Sequence, residues 1–375
     1  MKICILFSSY GPYHLARVSA FHSLVADSSL EVVGLELSRN QKEYPWKADI
    51  NNQNFKISSV YDSIDLENIP IHQLIFNTIA KLNEIDPDII AISGYSRPSM
   101  LFALLWAKIY RRKSILFSES SESDAKRQQF FEWIKQIILY FYDSALVGGK
   151  SHKQYLSKLG MPEKSIFLGY DVVDNTVFQP QRIKHLKRSI SRPYILTVSR
   201  FVKKKNISFI LDAYSDYQRA LGSDAWSLVI CGDGELRSEI EEKISTLDIP
   251  EYAHLTGFIQ QDEILPYLAH AKCLLHASTY EQWGLVVNEA MAAGLPVIVS
   301  ERCGCFEELV LEGVNGFGFD PCNVKQLKNI LVKISSDDID LEAMGKEGLK
   351  HIQKFSPEYF SRGLVGALEY SLAKD

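Results

Sequence analysis

Glu281-Gln-Trp-Gly-Leu-Val-Val-Asn-Glu289-Ala-Met-Ala-Ala-Gly-Leu-Pro-Val-Ile-Val-Ser300 is an apolar, helix-forming run held between two turn signals. Trp283-Gly284 stands ahead of it, and Gly294-Leu-Pro296 ends it before a Val-Ile-Val strand. A helix delivered from a loop and followed at once by a short buried strand is the repeating unit of a parallel sheet covered by helices. The stretch also carries two acids in an E-x7-E pair, Glu281 in the entering loop and Glu289 two turns inside the helix. They lie roughly 12 Å apart at ~1.5 Å per residue. Acids at a helix start also complement the helix dipole, so the pair alone does not decide its role.

Working outward, the same unit recurs. Strand-like runs over residues 194–198, 228–231, 273–276 and 297–300 alternate with helix-length stretches. Residues 3–7, 32–37, 89–93, 114–117 and 145–147 repeat the scheme in the first half. Two doubly wound α/β domains follow, which suits 375 residues, a length beyond that at which a single core keeps growing. Residues 179–193 are basic, bounded by prolines and poor in large apolar side chains, and read as an exposed connector. The expected domains are therefore 1–178 and 194–355, with a hinge at 179–193.

Hydrophobic residues make up 46 % of the chain and charged ones 23 %, with a formal net charge of −5. That is the composition of a globular protein and offers no partner for a nucleic-acid polyanion. The six cysteines include no C-x-x-C, and Cys303-x-Cys305 has no neighbouring histidine, so buried or loop thiols in a reducing cytoplasm are expected. Residues 1–7 are too short for a secretory core, and no run of 18 apolar residues occurs. The D-x-D pairs Asp86-Pro-Asp88 and Asp338-Ile-Asp340 lead into a strand and sit among helix-start acids, and neither reads as a metal site.

The segment from Glu281 to Pro321, with Gly304, Glu308 and Gly313-Val-Asn-Gly316, resembles the donor-site signature of family 4 retaining glycosyltransferases of the GT-B fold. The resemblance implies two Rossmann-like domains facing a central cleft, the last helix, 356–375, returning to complete the first. It also implies a nucleoside-diphosphate-sugar donor and a glycan or lipid-linked saccharide acceptor. A narrower resemblance, carried by Gly11-Pro-Tyr-His14, Ser118-Glu-Ser120 and Gly169-Tyr-Asp-Val-Val-Asp-Asn175, is to enzymes of bacterial surface-polysaccharide assembly.

Carried over residue by residue, Arg200 and Lys205 match the family's arginine and lysine five residues on, and would balance the departing diphosphate. Register singles out Lys205, leaving Lys203 and Lys204 as a solvated charged loop. Glu281 would face the donor sugar, Glu289 the ribose hydroxyls, and backbone N–H groups around Trp283, Gly284 and Leu285 the distal phosphate. Gly11 permits close backbone approach to the diphosphate, although Pro12 removes an N–H where relatives have a second glycine. Gly232 and Ile259 would wall the base pocket. No bound metal and no other cofactor is expected, and activity should survive EDTA.

Where relatives carry a histidine near the transferred sugar, this chain has Ser118 and Glu119. His14, Arg97 and Glu119 fall at the ends of first-domain strands and are candidates for acceptor contact, each with a structural alternative. His152 reads better as a local helix cap. Residues 101–113 and 127–142 interleave aromatics with cations, as interfacial helices do and as helices covering a sheet also can. A cytoplasmic enzyme, peripheral on the membrane face, is the expected setting. Three rivals stand beside this reading. A nucleotide-sugar epimerase or hydrolase of the same fold and a non-catalytic subunit of an assembly complex are two; the third, a nicotinamide enzyme, lacks its glycine fingerprint.

Overall fold

The structure is a computed structural model that describes residues 1–42, 46, 48–122 and 128–374. Arg127, at the head of the aromatic stretch, and Ser123 and Asp124 lie outside the described residues. The chain forms two compact units, Met1–Asp174 with Phe355–Asp375, and Asn175–Lys354.

The first unit holds β1 (Lys2–Phe7), β2 (Glu31–Glu36), β3 (Lys56–Ser59), β4 (Ile89–Ser93), β5 (Lys113–Ser118), β6 (Ser144–Val147) and β7 (Ile166–Leu168). All pair in parallel, in the order β3-β2-β1-β4-β5-β6-β7. The central strands are runs such as Ile-Cys-Ile-Leu-Phe, buried on both faces, and so read as continuous apolar segments without alternation. β3 and β7 escape a sequence reading because one is a half-exposed Lys-Ile-Ser-Ser edge and the other is three residues long. One face is covered by crossover helices that bury Leu74, Met100, Leu104, Leu139 and Leu156. The other carries the helices Pro12–Leu24 and Pro357–Ala373, which pack on each other. Ser144 Oγ ties the last helix to β6 through Ala367 O and Ser371 Oγ, each at 2.8 Å.

The second unit repeats the plan with β8 (Tyr194–Val198), β9 (Ser227–Cys231), β10 (Ala253–Gly257), β11 (Cys273–His276), β12 (Val297–Ser300) and β13 (Gly316–Phe319), ordered β10-β9-β8-β11-β12-β13. β13 is a strand made of Gly-Phe-Gly-Phe. Its glycines hide the pattern, yet the alternation puts Phe317 and Phe319 into the core. Residues 179–193 belong to this unit, begin with the short helix Pro180–Ile183, and are held by a contact of 2.7 Å between His270 Nε2 and Leu186 O. Both sheets are doubly wound: the direction of winding reverses between β1 and β4 in the first and between β8 and β11 in the second. Among the described residues no helix is long and apolar enough to cross a membrane.

Candidate functional site

Open parallel sheets hold their ligands outside the carboxyl ends of the strands, at the point where the winding reverses. In the second sheet that point lies between β8 and β11. The loop leaving β8 carries Arg200 and the short 3-10 turn Lys203–Lys205; the loop leaving β11 carries Glu281. The fold brings the two loops together. Thr279 N–H donates to Lys204 O (2.9 Å), and Lys205 Nζ makes a direct ion pair with Glu281 Oε2.

Glu281 is the hub of a buried polar cluster. Lys204 Nζ stands 3.5 Å from its Oε1, Ser278 Oγ donates to Oε2 at 3.0 Å, and His276 Nε2 lies 3.7 Å from the same oxygen. Burial acts to raise the Glu281 carboxyl, but the adjoining His276 ring and the charges of Lys205 and Lys204 outweigh it, and the group is held well below the usual carboxylate range. Burial pushes His276 down. Glu281 pulls it back up in part, the two lysines oppose that, and the net is a ring that is neutral at pH 7. The cluster therefore holds a permanent carboxylate beside two ammonium groups, with a surplus of positive charge.

Arg200 sits in a loop whose position is set by glycine. Ser199 N–H donates to Cys231 O (3.0 Å) and Phe201 N–H to Asp233 O (2.8 Å), so the end of β8 is zipped to the loop after β9. A Cβ on Gly232, which has φ +149°, would stand 1.8 Å from Ser199 O. No other residue fits there. Gly232 N–H in turn bonds Gly257 O at the end of β10 (2.9 Å), and half-buried Ile259 follows directly. Arg200, Gly232 and Ile259 thus occupy neighbouring loops on one sheet edge, beside Lys205 and Glu281.

Gly284 caps the helix Leu285–Ala292 in the left-handed region (φ 105°), turning the chain from Glu281 into the helix. Val287 N–H is already committed to Gly284 O (2.9 Å). Trp283 is buried and its indole N–H donates to Asn288 Oδ1 (2.9 Å), so its side chain locks the helix start from within. Glu289 is buried on the same helix.

In the first unit, Gly11 and His14 follow β1, Arg97 follows β4 and Glu119 follows β5, again at the carboxyl edge. Pro12 is the first residue of the helix Pro12–Leu24, where its missing N–H has no intrahelical partner to lose. Gly11 N–H donates to His14 Nδ1 (3.2 Å), and the ring stacks on Phe7 at 4.1 Å. Burial, then the nearby Arg17 charge, lowers His14 to about 3. His14 is thus a neutral, buried helix cap, its ring also hydrogen-bonded to the Ser9 backbone. His152 makes the same contact with Gly149 N–H at 3.1 Å. Arg97 is the N-cap residue of the helix Pro98–Ile109.

One sequence expectation is corrected. Lys204 is not a solvated bystander: it faces Glu281 and lies 5.6 Å from the Tyr280 ring centroid. Sequence reasoning also missed His276 and Ser278, whose only signal was a polar pair at the mouth of an apolar strand, five and three residues before Glu281. Both D-x-D pairs have structural partners. Arg112 grips Asp86 and Asp88, and Asp340 caps the helix Leu341–Ile352 through Ala343 N–H. Cys303 and Cys305 are buried and form no disulfide, and among the described residues no group of His, Cys, Asp and Glu could hold a metal ion.

Residues 179–351 match the family model described as Glycosyl transferases group 1. Among curated proteins, the chain is 29 % identical over 163 residues to the amylovoran biosynthesis glycosyltransferase AmsK of Erwinia amylovora, covering 42 % of this chain and 39 % of that one. It is 26 % identical over 167 residues to the alpha-monoglucosyldiacylglycerol synthase of Acholeplasma laidlawii, covering 44 % and 41 %. The match spans less than half the length of either relative. Among solved structures, the Anabaena protein Alr3699/HepE in complex with UDP and glucose superposes with a TM-score of 0.78 at 18 % identity, over 98 % of this chain and 99 % of that one. The architecture is the GT-B fold.

Proposed function

We propose that this chain, whose residues 179–351 belong to the glycosyl transferases group 1 family, moves a sugar from a nucleoside-diphosphate sugar to a hydroxyl of a glycan or lipid-linked saccharide. The expected setting is polysaccharide or lipopolysaccharide assembly, on the cytoplasmic side of a membrane. The observation that carries the reading is the Lys205–Glu281 ion pair, with Lys204 alongside, between the loops that leave β8 and β11.

Two lysines converge on one carboxylate there, and Arg200 is held in the adjoining loop. A diphosphate brings the negative charge such a site lacks. As the glycosidic bond breaks, Arg200 and Lys205 offset the charge gathering on the leaving phosphate, a role that a divalent ion fills elsewhere. Glu281, ionised and acceptor-only, takes hydrogen bonds from the donor sugar's hydroxyls, and Glu289 takes them from the ribose diol. Gly232 and Ile259 are assigned to the base pocket.

The transfer is read as retaining: the acceptor hydroxyl attacks from the face that the phosphate leaves, and the phosphate oxygen accepts its proton. No side-chain base is then needed. His14, Arg97 and Glu119 are assigned to the acceptor. Exposed Phe130, Phe131, Trp133 and Tyr140 on the helix Gln129–Tyr140 and after-lying Phe141 suit contact with a membrane that carries a lipid-linked acceptor.

A thermal-shift panel of UDP-, GDP-, ADP- and dTDP-sugars tests the donor. UDP comes first, because the similar Anabaena fold was solved with it. One of them is expected to raise Tm, and transfer to an acceptor is expected to persist in EDTA. A panel with no shift, or sugar release at the same rate without acceptor, would remove the transferase reading.

A further inference from the structure

His276, the last residue of β11, is buried at the end of an apolar strand and has no part in the transfer described above. Its Nε2 faces two oxygens, Ser278 Oγ at 3.3 Å and Glu281 Oε2 at 3.7 Å. The same ring edge lies against the turn into the helix Leu285–Ala292, where a Cβ on Gly284 would stand 3.4 Å from Nε2. One buried ring thus sits between the acid and the glycine that turns the chain into the helix.

Counting hydrogens fixes how that ring is protonated. Glu281 is a carboxylate and can only accept, and Ser278 has a single hydroxyl hydrogen. That hydrogen goes to Glu281 Oε2 at 3.0 Å, so toward Nε2 the hydroxyl oxygen has only lone pairs to offer. A bare Nε2 would set its own lone pair against Ser278 Oγ and Glu281 Oε2 together, inside a buried site where unmatched polar atoms are costly. A hydrogen on Nε2 makes both contacts favourable. Burial keeps the second ring nitrogen from being protonated as well, and the charges of Lys205 and Lys204 act in the same direction, against the pull of Glu281. The bonds therefore run from Nε2–H to Ser278 Oγ, and from Ser278 Oγ–H to Glu281 Oε2.

This relay acts on one edge of the carboxylate. Oε2 receives Ser278 and the Lys205 ion pair, with the His276 ring behind it, whereas Oε1 has Lys204 Nζ at 3.5 Å. A carboxylate gripped by one oxygen cannot turn about its terminal bond without breaking those contacts, so the second oxygen keeps a fixed direction.

We propose that His276 is the positioning residue of Glu281: as the Nε2–H tautomer it works through Ser278 to hold Oε2, and so presents Oε1 to a hydroxyl of the donor sugar. The choice of oxygen rests on the sugar-facing role proposed for Glu281. The tautomer rests on the distances and does not need that role.

The tautomer is tested on the full chain without donor. In nitrogen-15 spectra of histidine-labelled protein at pH 7, the ring signal that is lost in His276→Gln should show a protonated Nε2 and a bare Nδ1. A protonated Nδ1 beside a bare Nε2, or a doubly protonated ring, overturns the proposal. The positioning role is tested by turnover of UDP-glucose, read as UDP released, beside the affinity for UDP alone. His276→Leu fills the space without a donor and should lower kcat about 10–30-fold while the Kd for UDP stays within about twofold. His276→Gln, whose amide can donate from the same place, should recover kcat to within about threefold of wild type. Ser278→Ala should be slowed as much as His276→Leu, and the double variant should fall no more than about twofold below the slower single one, because both act on one oxygen. Losses that multiply in the double variant, or a fall in UDP affinity that matches the fall in kcat, make His276 a packing residue and overturn the proposal. Should His276→Leu not fold, the other two variants decide: His276→Gln as slow as Ser278→Ala overturns the relay. A wild type that releases no UDP removes the transferase reading and the assignment of Oε1, while the spectra still uphold or overturn the tautomer.

Discussion

Replacing Glu281 by Gln keeps the shape of the side chain and removes the charge on which Lys205 and Lys204 converge. The side chains of Glu281 and Lys205 are 11 % and 12 % exposed, so the pair is largely out of water. Removing one partner of a buried pair costs ~3–5 kcal/mol. Ser278 can still bond the amide oxygen and Lys204 keeps its place near Tyr280, so about 2–3 kcal/mol is expected here. For a unit of this size that is a fall in Tm of about 5–10 °C. The sign with pH follows from the depressed carboxyl. Its contribution is complete above the unfolded value of 4.5 and is lost only as pH falls through the lower folded value. Calorimetry of both proteins should thus show a constant gap from pH 8 to about 5, closing on further acidification. A nucleoside diphosphate should stabilise the variant and the wild type to a similar extent. Turnover should fall ~100-fold or more while nucleotide affinity changes little. Equal Tm at pH 7, or a gap that widens in acid, would refute the claim that the lysines hold Glu281; equal losses of turnover and nucleotide affinity would put Glu281 in the wrong role.

Arg200→Lys retains the charge but loses the planar fork, and should lower kcat by about 10–100-fold with Tm unchanged; a rate within twofold of wild type would make Arg200 a mere counter-charge. Gly232→Ala drives a methyl group to 1.8 Å from Ser199 O and should cost more than ~3 kcal/mol, read as a fall in denaturation midpoint, together with a loss of donor binding because the Arg200 loop must move. Wild-type chain should sediment with anionic liposomes at low salt and Phe131→Ser/Trp133→Ser should not, while wild type that stays in the supernatant removes the membrane contact.

Much of the fold was legible because parallel strands buried on both faces leave an unbroken apolar run, and the turn residues around Trp283-Gly284 and Gly294-Leu-Pro296 mark where each helix begins and ends. Nine strands could be read this way, and the glycine that closes β10 marks a tenth. β3, β7 and β13 could not, since a polar edge, a three-residue strand and alternating glycine carry no period that distinguishes them from loops. Lys205 and Glu281 were legible as a motif. Lys204 was misread because a lysine run looks the same in sequence whether or not a carboxylate folds over it.

The residues along the chain determine the elements, the two sheets they build and the types of side chain available at each strand end, because these depend on local period and turn chemistry. Which of those side chains meet is decided by tertiary structure alone. Lys205 and Glu281 are 76 residues apart, and Arg17 and Asp171 are farther still along the chain. Burial, which raises a carboxyl by removing its water, and the neighbouring charges that can outweigh it exist only once the loops are in place. A carboxyl is thereby held well below its ordinary range at Glu281 and pushed well above it at Asp171.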